Sequence, residues 1–384
     1  MNSISKSSKL AKTEYIKQTR SARYELLAGI REMGIAQGRK AELKHPLNFH
    51  RTCKCRYLRI GKSAVSVHQE ITSKTAFYGG LQICGSVWTC PVCAAKIEAK
   101  REVEISKFFT WAYKKGMGKK VIMVTFTFPH SIDQPLKENL DAFLAALRKL
   151  RAGAPWKKIK DRNGYEGLIR ALEINHGVNG WHPHTHELWC VDESVDVAEL
   201  QATVTNRWMT MLKKAGLLGD DDKAARRYAV DIKDNMSATQ YLTKHGKKTW
   251  GGDRELAKAS TKKGKKAGRS PFQIAADAAA GCGKSESLWW EYVRATKGKS
   301  RLYWSEGLKS KVDITDKKDE VLAAEQTEKA DLLGLLTTKQ WKAVRASGRS
   351  TAGLLEAAEA GGWAAVENFI SSLIDTSIEK LKPG

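Results

Sequence analysis

Three histidines alternate in the segment WHPHTHELW, at positions His182, His184 and His186. Alternate residues of a β-strand point to the same face, so a strand here would aim all three imidazoles the same way. Neighbouring imidazoles on one face suit a metal ion. Ordinary surface histidines beside the NG turn at 179–180 are the alternative, but these are three of only nine histidines in the chain.

A carboxylate can complete the ligand set if the preceding segment YEGLIRALEINH (165–176) is a strand paired with the histidine strand. In that hairpin Glu173 would reach the same metal, whereas an exposed strand position is the alternative reading of Glu173. Two imidazoles and a carboxylate with open positions can hold several divalent metals. In phosphodiester chemistry such a metal polarises a non-bridging oxygen and stabilises developing negative charge.

A tyrosine that could act as a nucleophile follows about 55 residues after the histidine strand. Tyr241 precedes Lys244 by three residues on a predicted helix, so both side chains lie on one helix face. A tyrosine hydroxyl is a weak nucleophile at its usual pKa of about 10, and a nearby cation would help it to act. Amphipathic packing with a surface lysine is the alternative for this pair.

Five of the seven cysteines fall between residues 53 and 93, and an odd total argues against a disulfide framework. Cys90 and Cys93 form a C-x2-C knuckle typical of zinc, and four of the five thiols could close a tetrahedral structural zinc site. The candidates are Cys53, Cys55, Cys84, Cys90 and Cys93. Buried free thiols are the alternative, and Cys190 and Cys282 are expected to be core or incidental.

The formal net charge of +24 points to a polyanionic partner, and nucleic acid is the usual one. The excess lies in residues 1–319, with 59 basic and 33 acidic residues, whereas residues 320–384 carry 7 basic and 9 acidic ones. A merely basic or ribosome-associated surface is the alternative. No apolar run approaches the roughly 20 residues needed to span a bilayer, and the N-terminus lacks the apolar stretch of a secretory signal. We therefore expect a soluble, cytoplasmic protein with no membrane partner.

The elements that must position these residues follow a regular order between 119 and 246. Apolar periodicity predicts the sequence β-α-β-β-α-β-α, and its first six elements match the split βαβ, or ferredoxin-like, pattern with an antiparallel sheet. The predicted strands are 119–128, 165–176, 182–191 and 228–233, and the last helix is 236–246. Residues 1–44 are predicted to be a peripheral helical arm, and 320–380 to be helical.

Three motifs in this order resemble the bacterial rolling-circle plasmid replication initiators of the HUH endonuclease superfamily. They are VTFTFPH (124–130), GWHPHTHELW (180–189) and ATQYLTKHGKK (238–248). CGSVWTCPVCAAKI (84–97) and LYWSEGLK (302–309) also resemble segments of that family, so the resemblance covers roughly residues 50–310. The ordered triplet is specific, whereas any one motif would not be.

The resemblance implies an enzyme that nicks origin DNA on one strand. His184 and His186 would bind Mg²⁺ or Mn²⁺ with Glu173 as third ligand, and Tyr241, helped by Lys244, would be the nucleophile. The product would be a 5′-phosphotyrosine DNA adduct and a free 3′-OH that primes a host polymerase, with a host helicase separating strands. His182, Lys247 and Lys248 are candidate DNA contacts. Some members carry a Glu four residues before the Tyr, but this chain has Ser237 there, which leaves termination unassigned.

The fold class expected is α+β, with a ferredoxin-like HUH nuclease core, a cysteine-rich N-terminal element and a helical C-terminal region. The predicted segments are a basic helical arm (1–44), a cysteine-rich zinc element (45–95), the nuclease core (96–248), a basic linker with a helical extension (249–319) and a helical C-terminal module (320–384).

Several other readings remain open. A non-catalytic zinc-containing DNA-binding regulator would explain the charge and the cysteines but not the histidine strand or the tyrosine helix. A zinc hydrolase of small substrates would leave the basic charge without a role, and a single-tyrosine HUH transposase or relaxase is a close relative. The GKS at 283–285 lacks the first glycine of a P-loop and the strand before it, so ATP binding is not expected.

Overall fold

The β-branched and aromatic runs of the chain form eight strands in the computed structural model, which describes residues 3–219, 222–241, 268–325 and 329–379. The strands are β1 (Val65–Glu70), β2 (Ala76–Gly79), β3 (Lys119–Phe126), β4 (Gly167–Gly177), β5 (Gly180–Asp192), β6 (Val230–Lys233), β7 (Leu302–Trp304) and β8 (Ala330–Leu336). They make two antiparallel sheets, with strand orders β6-β3-β5-β4-β7 and β2-β1-β8. With the helices around them, the described residues have a mixed α+β fold.

The helices surround these sheets and alternate with the strands in the middle of the chain. Their bounds are α1 (Ser3–Lys40), α2 (Pro91–Ala112), α3 (Leu136–Leu150), α4 (Gly153–Arg162), α5 (Val197–Lys214), α6 (Lys223–Tyr228), α7 (Ala238–Tyr241), α8 (Pro271–Ala279), α9 (Gly283–Ala295), α10 (Leu308–Lys311), α11 (Asp319–Ala324), α12 (Thr338–Val344) and α13 (Gly348–Glu379). Helix α13 is kinked at Gly361 and Gly362, where the backbone leaves the helical region.

One face of the five-stranded sheet is covered by α3, α4 and α5. Phe126 of β3 packs edge-on against Trp208 of α5, with ring centroids 5.2 Å apart, and Trp189 of β5 packs in the same way against Trp156 of α4 at 5.5 Å. Phe143 of α3 also contacts Trp208, so the three helices share one continuous aromatic core. We call this side of the sheet the helical face.

The other face of the sheet is covered by α2 over only part of its length. Ile105, Phe108 and Phe109 of α2 pack with Met123 of β3 and Leu188 of β5 in a second buried cluster. The histidines of β5 lie on this same face, beyond the end of that cluster, because residues 182, 184, 186 and 188 alternate with those on the helical face. We call this side the histidine face.

The N-terminal helix is more buried than the sequence indicated. Leu27 and Ile30 of α1 are almost fully buried in the main core, with Leu26 and Met33 beside them. The prediction of a helix over 1–44 is therefore confirmed between Ser3 and Lys40, but the prediction that it is peripheral is wrong for its second half. The physical reason is contact with distant helices, since α1 packs along α13, α8 and α2.

The C-terminal region is not wholly helical, which corrects the prediction of helix over 320–380. Strand β8 pairs with β1, which lies at least 260 residues earlier, and extends the β1–β2 hairpin into a sheet. Val67, Tyr78 and Leu336 of this sheet pack against Leu355 of α13 in a separate core. The run ADLLGLL has no local signal that distinguishes a strand from a helix, so its pairing decides its conformation.

Two further segments bear on the sequence-based expectations. The GKS segment opens α9 and follows α8 rather than a strand, so it lacks the strand that a P-loop requires. The last helix of the predicted core, expected over 236–246, begins at Ala238 and is described as far as Tyr241, and residues 242–246 lie outside the described residues. No helix in the described ranges has the length and apolar character needed to cross a membrane.

Candidate active site

The β4–β5 hairpin places a carboxylate opposite the histidines. Glu173 of β4 is the direct cross-strand partner of His184 of β5, and Ala171 is the partner of His186. Directly opposed residues of an antiparallel pair have side chains on the same face, so Glu173 and both imidazoles lie together on the histidine face. The NG turn at 179–180 fixes this register, with Gly177 opposite Gly180.

The three side chains converge on one point. The Nε2 atoms of His184 and His186 lie 3.2 and 3.7 Å from Oε2 of Glu173, and the three candidate ligand atoms all lie within 4.8 Å of one another. Glu173 and His184 are buried, while His186 is partly exposed. Two imidazole nitrogens and one carboxylate oxygen are a donor set that Mg²⁺, Mn²⁺ and similar divalent ions accept, and three protein ligands leave positions for substrate oxygens.

Hydrogen bonds on the far side of each ring turn the Nε2 atoms toward Glu173. A metal at Nε2 requires the ring proton on Nδ1, and in that tautomer Nδ1 of His186 donates to Oγ1 of Thr125 at 3.0 Å. Nδ1 of His184 donates to the carbonyl oxygen of His182 at 3.2 Å. Such outer contacts fix the tautomer and ring orientation of metal-binding histidines. The donor set is therefore oriented for a metal by the protein itself.

The third histidine belongs to a stack that leads away from these ligands. The His182 ring stacks on His184 at 4.7 Å and on His130 at 4.8 Å, and its Nε2 is 2.7 Å from Oγ1 of Thr127. Burial lowers the pKa of His182 to about 3, with smaller contributions from His184 and His130. Burial also lowers the pKa of His130. Burial therefore disfavours the charged form of both rings, which suits stacking rather than pairing with a phosphate.

The helix that carries Tyr241 begins on the histidine face. The Met236 backbone N–H donates to the carbonyl of Val121 on β3, and the Met236 carbonyl accepts from the Tyr113 hydroxyl at 2.6 Å. Ser237 then caps the helix, since its Oγ accepts from the Gln240 N–H while the Gln240 side chain accepts from the Ser237 N–H. Ser237 thus has a structural role at the start of this helix.

Part of the sequence-based site lies outside the described residues. The backbone of Tyr241 ends α7, but its side chain is not described. Lys244, Lys247 and Lys248 also lie outside the described residues. The structure therefore brings together Glu173, His184 and His186 and places the start of the tyrosine helix on their side of the sheet.

A second cluster of metal-binding side chains lies near the start of α2. The sulfur of Cys55 is 3.5 Å from that of Cys93 and 3.7 Å from that of Cys90, and the Cys84 sulfur is 3.8 Å from that of Cys93. Four sulfurs at about 2.3 Å from a tetrahedral zinc ion would lie about 3.8 Å apart, so these distances fit that geometry. All four cysteines are buried.

The thiols of this cysteine cluster contact one another, and a side chain of α1 holds the turn that leads to them. Hydrogen bonds from Cys55, Cys84 and Cys90 hold the pKa of Cys93 well below its usual value, while burial raises the pKa of Cys90. The guanidinium of Arg31 on α1 donates to the carbonyl oxygens of Cys53 and Cys55, at 3.0 and 3.3 Å, and so holds the turn that carries them.

The other cysteines lie elsewhere. A Cβ added at Gly34 of α1 would come 2.3 Å from the Cys53 sulfur, so Cys53 packs tightly against α1 and does not join the cluster. Cys190 is buried on the histidine face, and Cys282 is exposed before α9. Of the five cysteine candidates, the structure groups Cys55, Cys84, Cys90 and Cys93.

Comparisons with known proteins agree with the motifs. The family profile described as Replication protein matches residues 80–346. The chain belongs to this family. A protein named Protein rep from Streptomyces lividans is 29% identical over 346 residues, which cover 72% of this chain and 75% of that protein.

A second relative matches a shorter stretch. A protein named Neomycin resistance protein from Streptomyces cyanogenus is 32% identical to this chain over 135 residues, which cover 28% of this chain and 30% of that protein. No solved structure is a significant match to this chain.

Some residues of the site could not be recognised from their types alone. Thr125, Thr127 and His130 lie in the VTFTFPH segment, which the sequence marked only through its family resemblance. The signal was the alternation of Thr125 and Thr127 along a predicted strand, which puts both hydroxyls on one face. Their contacts with His186 and His182 required the register of β3 against β5, in which Thr125 is opposite His186.

Proposed function

We propose that this replication protein is a HUH-type DNA endonuclease that starts plasmid rolling-circle replication by nicking one strand at the origin. The observation that carries the proposal is the convergence of Glu173, His184 and His186 on the sheet face where the helix of Tyr241 begins. A carboxylate and two imidazoles can hold a divalent ion beside a phosphate, and a tyrosine nearby supplies the nucleophile.

The topology of the sheet supports this assignment. Strands β6, β3, β5 and β4 stand in that order, and α3 and α5 connect them across the helical face. This is the arrangement of the split βαβ, or ferredoxin-like, pattern, with β7 added at one edge. The ferredoxin-like HUH core is thus our interpretation of the central sheet.

In the proposed reaction the Tyr241 oxygen attacks the scissile phosphorus. A bond forms between the tyrosine oxygen and phosphorus as the bond from phosphorus to the 3′ oxygen breaks. The phenol loses one proton, and the leaving 3′ oxygen gains one to become the free 3′-OH. Glu173, His184 and His186 would hold a Mg²⁺ or Mn²⁺ ion, which when bound supplies charge stabilisation at the phosphate. Lys244 is proposed to neutralise phosphate charge beside the tyrosine.

Partners and the second metal follow from the same proposal. The 59 basic and 33 acidic residues before position 320 support DNA as the partner. A free 3′-OH would serve a host polymerase, and strand separation would need a host helicase. Because the sulfur spacing suits a tetrahedral ion, we propose that Cys55, Cys84, Cys90 and Cys93 hold a structural Zn²⁺.

The ligand set can be tested by cleavage of labelled single-stranded origin DNA with Mn²⁺ or Mg²⁺. Glu173→Gln keeps the size of the side chain but removes its charge, and Glu193→Gln makes the same change at an exposed residue just beyond β5. Loss of an outer contact to a metal site usually costs 10–100-fold, so loss of a ligand should slow cleavage by at least about 100-fold. The Glu193→Gln variant should cleave like the wild type.

Equal cleavage by the wild type and Glu173→Gln would contradict the ligand assignment.

The cysteine cluster favours one second candidate, a non-catalytic zinc-containing DNA-binding regulator. Tight binding of origin DNA without cleavage, with either metal and over several candidate origins, would support that candidate and contradict the proposed nicking activity.

A further inference from the structure

A polar groove lies between α4 and α5 on the helical face, away from the histidines. Its cavity volume is about 490 Å³. Its walls include three cationic side chains, Lys158, Arg162 and Arg207, and one acidic one, Glu199. The proposed nicking reaction gives this groove no role.

The groove lies on the opposite side of the sheet from the metal ligands. Trp156 of α4 packs on Trp189 of β5, whose side chain points to the helical face, whereas His184 and His186 point to the other. The sheet and a layer of helices about 10 Å thick therefore separate the groove from the metal ligands. The stretch of DNA that lies at Glu173 therefore cannot also lie in this groove.

The surface around the groove is strongly basic. Residues 148–162 contain seven basic residues and one acidic residue, and Arg148, Lys149 and Lys157 are exposed beside the groove residues Lys158 and Arg162. Arg162 pairs with Glu199 at 2.7 Å, but this pair is exposed and neutralises only one of the positive charges. A surface of this kind attracts a polyanion and releases the ions condensed on it.

Contacts within the protein fix the shape of the groove. The guanidinium of Arg207 donates to the carbonyl oxygens of Leu150 and Ala152, both at 2.7 Å, and so ties α5 to the end of α3. Oδ1 of Asn206 accepts from Arg226 of α6 at 2.9 Å, which leaves the amide N–H groups of Asn206 to donate. A fixed groove with amide and cationic donors suits phosphate oxygens.

We propose that this groove binds the backbone of duplex DNA, as a second contact separate from the nicking site. None of the residues that line it is aromatic, whereas sites for single strands stack unpaired bases on aromatic rings. Phosphates of a duplex need only cations and hydrogen-bond donors in register. The proposal rests on the proposed function in one respect, that DNA is the partner.

The experiment measures DNA binding by the full chain as a function of salt. The probes are a labelled duplex of about 20 base pairs, roughly two helical turns, and a short labelled single strand that carries the nick site. Lys158→Gln with Arg162→Gln removes two positive charges from the groove. Lys339→Gln with Lys342→Gln removes two exposed charges from α12 and is the matched control. Thermal unfolding of both variants checks that they fold.

The groove variant should bind the duplex about 10-fold more weakly, and the slope of log K against log salt should fall by about 2, since each phosphate contact contributes about 0.9. Its cleavage of the short single strand should match the wild type, and the control should change duplex affinity less than about 2-fold. Unchanged duplex affinity and slope, an equal loss in the control, or a loss confined to the single strand would each overturn the proposal. If the wild type fails to cleave but this binding pattern holds, the nicking function fails and the duplex groove stands.

Discussion

At the scale of single residues, the candidate metal site depends on side chains that do not themselves face the metal position. The His182 carbonyl can only accept, so its contact with Nδ1 of His184 selects the tautomer that leaves the Nε2 lone pair toward Glu173. The Thr125 hydroxyl contacts Nδ1 of His186 and holds the orientation of that ring, and it accepts from Nδ1 in the tautomer that a metal at Nε2 requires. Thr125 is therefore a positioning residue in this account.

We expect Thr125→Val, which keeps the shape but removes the hydroxyl, to weaken binding of Mn²⁺ by 10–100-fold. Thr125→Ser retains a hydroxyl and should restore most of that affinity. Titration of Mn²⁺ into each variant measures the effect directly, and thermal unfolding shows whether the variants fold alike. The same Mn²⁺ affinity for the wild type and Thr125→Val would contradict the role of Thr125.

The sequence predicted some of these residues and could not predict others. His184, His186 and Glu173 followed from alternation along two strands and a turn of known type, which are local signals. No local signal showed which cysteines group together, because Cys53 and Cys55 stand two residues apart in the same turn. The Cys53 sulfur lies against α1 at Gly34, outside the cluster, and this contact comes from tertiary packing.

At the scale of elements, the turn with Cys55 and the start of α2 meet at the cysteine cluster. The short helix Arg51–Lys54 leads to Cys55, and the Cys90 sulfur caps α2 by accepting from the Cys93 N–H. A bound Zn²⁺ would join these elements and contribute to folding outright. The cluster therefore has a testable effect on stability.

We expect the purified protein to contain about one Zn²⁺ per chain, held by four thiolates. Cys55→Ser should lose that zinc and unfold at a clearly lower temperature, because a ligand is lost from a buried site. Cys53→Ser, two residues away, is the matched control and should keep its zinc. Elemental analysis by mass spectrometry, with thermal unfolding, decides between them; zinc retained in Cys55→Ser would contradict the assignment.

The elements also show where sequence patterns stop being informative. The strands β3, β4, β5 and β6 were predicted within a few residues, since their alternation and their flanking turns are local. Strand β8 was expected to be helical, and this prediction was wrong. The segment ADLLGLL carries no clear period, and its strand form depends on pairing with β1. Element type thus failed where the deciding contact was distant in sequence.

At the scale of the whole molecule, the central sheet separates two surfaces with different chemistry. The histidine face carries the candidate metal ligands and the start of the tyrosine helix, while the helical face carries the basic groove between α4 and α5. The net positive charge before position 320 was visible in the sequence, but the position of a basic groove opposite the histidines was not. That position follows from the packing of α4 and α5 on the helical face of the sheet.

A covalent link between Tyr241 and DNA would separate a nickase from a non-catalytic DNA-binding protein. The wild type would be incubated with single-stranded origin DNA and Mn²⁺, then digested with nuclease and trypsin and analysed by mass spectrometry. We expect a nucleotide linked to the peptide 234–244, which contains Tyr241, and the loss of this adduct in Tyr241→Phe. Tyr228→Phe alters an exposed tyrosine of α6 in the separate peptide 228–233 and should leave the adduct intact. Cleavage without an adduct, or an adduct on any peptide other than 234–244, would contradict the account.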